Sequence, residues 1–187
     1  ELPRWAVIAL GGGLGTLLML ALLLLARDLL GLALWPVHRA ASRVLLRGRG
    51  LNAALGLATA LLGVWGAAQA IRLPEVQRVE IAVAGLPAAF DGYRIVQLSD
   101  LHASPLNREP WIRGVVERSN ALHADLIVVT GDFQDGTVAA RAVDVRPLRD
   151  LRAPDGVLGV PGNHEYYTSY PAWMAALRAL GTPSTPS

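Results

Sequence analysis

Leu126-Ile127-Val128-Val129-Thr130-Gly131-Asp132 is the stretch from which the fold can be read. Its first five residues form a nearly continuous apolar, β-branched run bounded by a turn signal, which predicts a strand with both sheet faces covered. Gly131 then permits a sharp reversal or an unusual backbone angle, so that the Asp132 carboxylate projects from the strand end. Two other stretches have the same form. Tyr93 to Ser99 is a short β-branched run ending at Asp100-Leu101-His102, and Gly156 to Val160 ends in Pro161-Gly162-Asn163-His164-Glu165. Pro110 to Leu122 has a helical pattern, with Pro110 suited to a first turn. Val138 to Leu151 reads as a helix that Pro147 kinks or restarts, and Pro171 to Leu180 as a closing helix. Alternating strands and helices predict an α/β layered fold with parallel strands. The carboxyl ends of such strands share one rim, where ligands usually bind.

Upstream, Arg78 to Val83 alternates apolar and polar residues, with Val79, Ile81 and Val83 on one side, and predicts a half-buried strand. Gly85, Pro87 and Asp91-Gly92 mark turns after it. The beginning of the chain is different in kind. Trp5 to Ala26 has no charged residue, and Leu51 to Ile71 is also free of formal charge. Each is long enough for a bilayer core, which needs about 20 residues. The second stretch has competing readings: an amphipathic helix, disfavoured by apolar residues scattered around it, and a signal sequence ending in Ala68-Gln69-Ala70. Residues 1–71 therefore read as a transmembrane hairpin with spans near 5–26 and 51–71, and 72–187 as the folded domain.

Charge supports this division. The 187-residue chain carries +2 overall, but residues 1–71 hold +4 and residues 72–187 hold −2. The basic pI near 9.5 thus comes from the membrane-flanking part and not from a nucleic-acid-binding face. Arg27, Arg39, Arg43, Arg47 and Arg49 against Asp28 between the two spans predict a cytoplasmic loop. The domain would then lie on the periplasmic or extracellular side of a bacterial inner or plasma membrane, with Leu29 to Val37 and Trp35 at the interface. Neither span carries an ionisable residue, which disfavours a transport pathway.

Cysteine is absent, so any metal must be held by His, Asp, Glu or Asn. Asp100 and His102, two positions apart, can turn toward one point as their strand ends. Carboxylate, imidazole and amide donors suit divalent Mn, Zn, Fe or Mg, and Asp132 in the central cluster is the natural bridge between two ions. Two ions roughly 3.5–4 Å apart can activate a water and clamp an in-line phosphoryl displacement. Other polar residues have plainer readings. Asp135, ahead of Gly136, reads as a turn residue, His123 as a solvated or capping residue near a helix end, and Trp111 and Trp173 as core anchors. Glu165 and Tyr166 read either as supports for the cluster or as ordinary packing and surface residues.

As an ordered set, Asp100-Leu101-His102, Gly131-Asp132 and Gly162-Asn163-His164-Glu165 resemble the first three signature blocks of calcineurin-like metallophosphoesterases, in the wording of a membrane-anchored bacterial branch. The resemblance spans about Ile81 to Leu180. It implies a layered α/β/β/α sandwich and two divalent metal ions. Asp100 and His102 would hold one ion, Asp132 would bridge, Asn163 would hold the second, and His164 would contact the phosphate and serve the leaving oxygen as the catalytic residue. The implied activity is hydrolysis of phosphate mono- or diesters; the expected spans add the lipid bilayer as partner, and that location makes lipid or envelope phosphates candidate substrates. The later blocks of the family, an isolated histidine and a Gly-His-x-His, do not follow Leu180. With no initiator Met and the ending Gly181 to Ser187, the chain is expected to be the N-terminal portion of a longer, C-terminally incomplete domain. The alternative is a non-catalytic truncated membrane protein with a residual metal-binding or interaction domain.

Overall fold

The computed structural model describes residues 2–181. The ending read from sequence as a departure from the family lies, beyond Gly181, outside the described residues. The chain divides into two compact units, Glu1–Arg72 and Leu73–Ser187.

In the first unit, helix α1 spans Arg4–Leu34, α2 Arg39–Arg47 and α3 Arg49–Ala70. Helix α1 runs well past the expected end of its span, because nothing in Arg27-Asp28-Leu29-Leu30 breaks a helix; it stops before Trp35-Pro36. By length and composition α1 and α3 could each cross a membrane. They pack through small residues: Gly12 faces Ala67, and a Cβ at Gly63 would strike Thr16. The Thr16 and Thr59 hydroxyls are satisfied by the carbonyls of Gly12 and Leu55, each at 2.7 Å.

In the second unit, β1 (Ile95–Leu98), β2 (Leu126–Thr130) and β3 (Val157–Val160) form a parallel sheet in the order β1-β2-β3. Ile95 pairs with Leu126, and Ile127 with Val157. The intervening helices are α4 (Glu109–Asn120), α5 (Val138–Val145) and, after β3, α6 (Asn163–Thr168) and α7 (Tyr170–Ala179). Pro147 acts as expected: α5 ends at Val145 and a 3-10 turn takes over from Arg146 to Asp150.

One sheet face carries the core. Ile127, Val129 and Val157 pack with Ile112, Val115 and Val116 of α4, Val145 of α5, and Trp173, Met174 and Leu177 of α7. Trp173 is fully buried, and its indole N–H donates to the Gly136 carbonyl at 3.0 Å. Burying a Leu or Val side chain there stabilises the fold by about 1.5–3 kcal/mol. The expectation of a sheet covered on both faces is corrected: Ile95, Leu158 and Val160, on the other face, are exposed. Residues 78–83 likewise form no strand, and Val79, Ile81 and Val83 are exposed. Their alternation defines a side that could be buried but does not supply a pairing partner. A groove of about 860 Å³ lies among residues 74–79, β1 and α4, and reaches Asp100.

Candidate metal centre

Each strand ends in one of the polar clusters, and the turns that carry them are locked together by backbone. Asp100 N–H donates to the Gly131 carbonyl, His102 N–H to Asp132 and Ala103 N–H to Phe133, at 3.3, 2.9 and 3.0 Å; Asp135 N–H returns a bond to Ala103 at 2.9 Å. The loop after β1 therefore lies along the loop after β2. These loops bend through the left-handed region: Asp100, His102 and Asp132 have φ of 55°, 42° and 53°. Such angles are uncommon for side-chain-bearing residues and cluster at functional sites.

The glycines behave differently from each other. Gly131 has φ of 93°, as expected, and a Cβ on it would lie 2.5 Å from the Gly162 nitrogen. Gly162 has an ordinary extended φ of −99°. It is needed because a Cβ there would fall on the Asp132 carboxylate and amide. The loops after β2 and β3 approach this closely only because both positions are glycine.

Glu165 fixes that approach. Its side chain is fully buried, and its carboxylate accepts from the N–H groups of Gly162 (2.7 Å), Asp132 (3.1 Å) and Phe133 (3.0 Å). One buried charge thus ties the end of β2 to the start of α6. A carboxylate with three N–H donors is the condition under which a buried charge is tolerated. The α6 helix had no place in the sequence reading, although Glu165 three residues after Gly162 is a capping signal.

The donor atoms converge. His102 Nε2 lies 3.6 Å from Asp100 Oδ1 and 4.0 Å from Asp132 Oδ2. Ligand atoms of His102, Asp132 and His164 all lie within 4.8 Å of one another. Two ligands of one ion, each about 2.0–2.2 Å from it, lie at most about 4.4 Å apart, a limit that the 3.6 and 4.0 Å separations meet. The Asn163 amide places one terminal atom 3.3 and 3.1 Å from the two Asp132 oxygens and the other 2.9 Å from the Tyr167 hydroxyl. With nitrogen toward Asp132 the amide donates to the carboxylate. With oxygen there, it makes the oxygen–oxygen approach of two ligands sharing a cation. The donor set fits a hard or borderline divalent ion.

Asp135 enters the site, although its sequence context suggested a turn. Its Oδ1 lies 2.8 Å from His102 Nδ1 and 2.7 Å from His164 Nδ1, and the two rings meet edge-on at 4.5 Å. With both Nδ1–H groups donating to this carboxylate, each imidazole has its Nε2 free for a ligand or substrate. Its one sequence signal is an acidic residue three positions after Asp132. Burial pushes the His102 imidazole down, but its hydrogen bond to Asp135 and the charges of Asp135, Asp132 and Asp100 outweigh this and raise its pKa above 6.5. His164 N–H also donates to Asp132 Oδ1 at 3.0 Å. All five residues singled out from sequence thus lie together at the rim, Asp100 open to solvent, with 65% of its side chain exposed against 14% for Asp132.

Comparison with known proteins agrees with this geometry. Residues 93–183 match the calcineurin-like phosphoesterase family. The chain is 35% identical over 124 residues to a transmembrane protein with metallophosphoesterase domain from Danio rerio, covering 66% of this chain and 28% of that protein. It is 28% identical over 128 residues to a Helicobacter pylori metallophosphoesterase, covering 67% and 34%. It is also 35% identical over 104 residues to the UDP-2,3-diacylglucosamine pyrophosphatase LpxG of Chlamydia trachomatis, covering 51% and 30%. The chain thus spans well under two thirds of each relative, and relatives of both animal and bacterial origin do not single out a bacterial branch. No solved structure matches it. Three strand ends carrying a converged Asp, His and Asn set lie within residues 93–183, the part of this chain that matches the calcineurin-like phosphoesterase family.

Proposed function

We propose that the chain is the anchor and N-terminal portion of a membrane-bound, metal-dependent phosphoesterase that hydrolyses phosphate mono- or diesters. The observation that supports this most is the convergence of His102, Asp132 and His164 ligand atoms within 4.8 Å at the sheet rim, with Asp100 and Asn163 beside them. In this reading Asp100 and His102 would hold one divalent ion, Asn163 would hold a second, and Asp132 would serve both. Bound ions would supply Lewis acidity toward the phosphoryl oxygens and a water acidic enough to attack near neutral pH. The chain's own residues do the positioning. Asp135 accepts from His102 and His164 and so directs their Nε2 atoms, one to metal and the other to the leaving oxygen. Glu165 holds Asp132 and Asn163 at their spacing.

The bilayer is proposed to take residues 1–71 as a hairpin, with the domain on the periplasmic or extracellular side. Reporter fusions after Pro74 test the side, and a signal from the cytoplasm alone overturns it. A lipid-linked or envelope phosphoester is the proposed substrate class. It draws on the anchor and on the diacylated substrate in the name of the Chlamydia relative.

Assay of the purified chain with Mn and an aryl phosphodiester tests the activity. The expected result is metal-dependent hydrolysis lost in Asp132→Ala and in His164→Ala. Metal binding without turnover would contradict it and favour a non-catalytic, metal-binding domain. That second reading draws on the donor count, since Asp100, His102, Asp132 and Asn163 leave two ions short of a full protein shell.

A further inference from the structure

We propose that α2 is a docking surface for the phosphate headgroups of anionic lipids. This rests on the reading that α1 and α3 cross the bilayer. Arg39, Arg43 and Arg47 recur at every fourth position of α2, so their guanidinium groups share one face of the helix, about 80° wide. A second face, with Ser42, Leu45 and Leu46, turns inward, Ser42 fully buried and Leu46 set against Gly31 of α1. The helix is thus oriented by packing, and the arginine face is directed outward. All three arginines and Arg49, at the start of α3, are exposed.

Among the described residues no carboxylate pairs with these four arginines; Arg43 Nε donates to the Arg39 carbonyl at 3.3 Å. The nearest acid in sequence, Asp28, is taken by Arg27, whose Nε and Nη2 donate to it at 3.0 and 2.6 Å. Protein charge does not neutralise the face, so its complement is an external anion.

Chain connectivity chooses the anion. Residues 35–38 join α2 to α1, and Gly48 alone joins it to α3. A nine-residue helix tied this tightly to the ends of two spans must lie at the membrane surface. Exposed Val44 beside the arginines and exposed Trp35 at the turn suit the boundary between headgroups and acyl chains. Anionic headgroups are the anions concentrated there. Each arginine near such a surface contributes about 1 kcal/mol, equivalent to about fivefold in affinity.

The test uses the whole chain in vesicles of phosphatidylcholine with phosphatidylglycerol, and measures by spin-labelled lipids which headgroup occupies the protein boundary. The proposal expects at least about a fivefold preference for phosphatidylglycerol, weakened by salt. It should fall to near parity when Arg39, Arg43 and Arg47 are all changed to Gln, and persist when all three are changed to Lys. Equal occupancy by the two lipids, or the same preference in the Gln variant, overturns it. Arginine-dependent binding of soluble polyglutamate without lipid preference overturns it in favour of an acidic protein partner. A chain that fails to float with vesicles in alkaline carbonate removes the membrane reading itself, a result distinct from insertion without headgroup preference.

Discussion

Asp100 and Asp132 stand at equivalent places, each at the end of a parallel strand, each with a positive φ, each within 4 Å of His102 Nε2. Their surroundings differ. Asp132 is mostly buried, its N–H is bonded to Glu165, its Oδ1 accepts from His164 N–H, and Gly162 is pressed against its carboxylate. Asp100 is open to solvent, and its Oδ2 accepts from the Ser99 hydroxyl at 2.5 Å. Asp132 is held through both its N–H and its carboxylate by the residues around it, whereas Asp100 is tied to the β2 loop through its N–H alone. The lesson is that the β2–β3 side of the rim is preorganised, whereas the β1 side can adjust to a ligand.

Removing the clamp tests that contrast most severely. Glu165→Ala leaves three N–H groups without an acceptor, that of Phe133 buried and those of Asp132 and Gly162 part-buried, and should cost about 4 kcal/mol of stability, at roughly 1–3 kcal/mol per group. Urea denaturation measures it, and a loss under about 1 kcal/mol would show that the loops hold each other without Glu165. Next is the pair of carboxylates themselves. Asp132→Asn should weaken Mn binding by at least about 100-fold, and Asp100→Asn by about tenfold, the span that even supporting residues around metals show. Titration calorimetry that found the two equal would erase the distinction.

Gly162→Ala sharpens the comparison from the backbone side. The new Cβ forces the β2 and β3 loops apart, at a cost of about 1–3 kcal/mol, and should weaken metal binding with it. The corresponding change at Gly85, where a Cβ meets nothing, should leave metal binding intact even though its φ of 79° strains the variant.

The smallest effect is a titration. In the metal-free protein His102 should have its midpoint above 6.5, because Asp135 and its neighbours outweigh burial. A raised folded pKa contributes stability that is complete below the unfolded value of about 6.5 and is lost as pH rises through the folded value. Metal affinity runs the other way and falls with pH, since a proton competes for Nε2. Asp135→Asn should lower the midpoint in an NMR titration, and an unmoved midpoint would remove Asp135 from the site.

What could be read in the sequence follows from how each feature is encoded. β2 matched the expected Leu126–Thr130, and the restart at Pro147 was visible, because strand patterning and proline are local signals. The three polar clusters were visible for the same reason, each lying at the end of an apolar run. Residues 78–83 failed because a period of two marks a strand face without naming its partner, and β1 does not pair with them. Asp135 was missed because its role comes from the fold: His102 arrives from the β1 loop and His164 from α6, and neither approach is written near position 135. The need for glycine at 162 was not legible, its close contact with Asp132 being a tertiary fact. The α2 helix hid between two apolar spans, where its arginines had been read as topological charge.

Anomalous diffraction at the manganese edge from crystals of the metal-loaded chain tests the central claim most directly. The account predicts metal density at the sheet rim within coordination distance of Asp132, shared with His102 on one side and Asn163 on the other. Metal bound elsewhere on the domain, with Asp132, His102 and Asn163 all outside its shell, would contradict it.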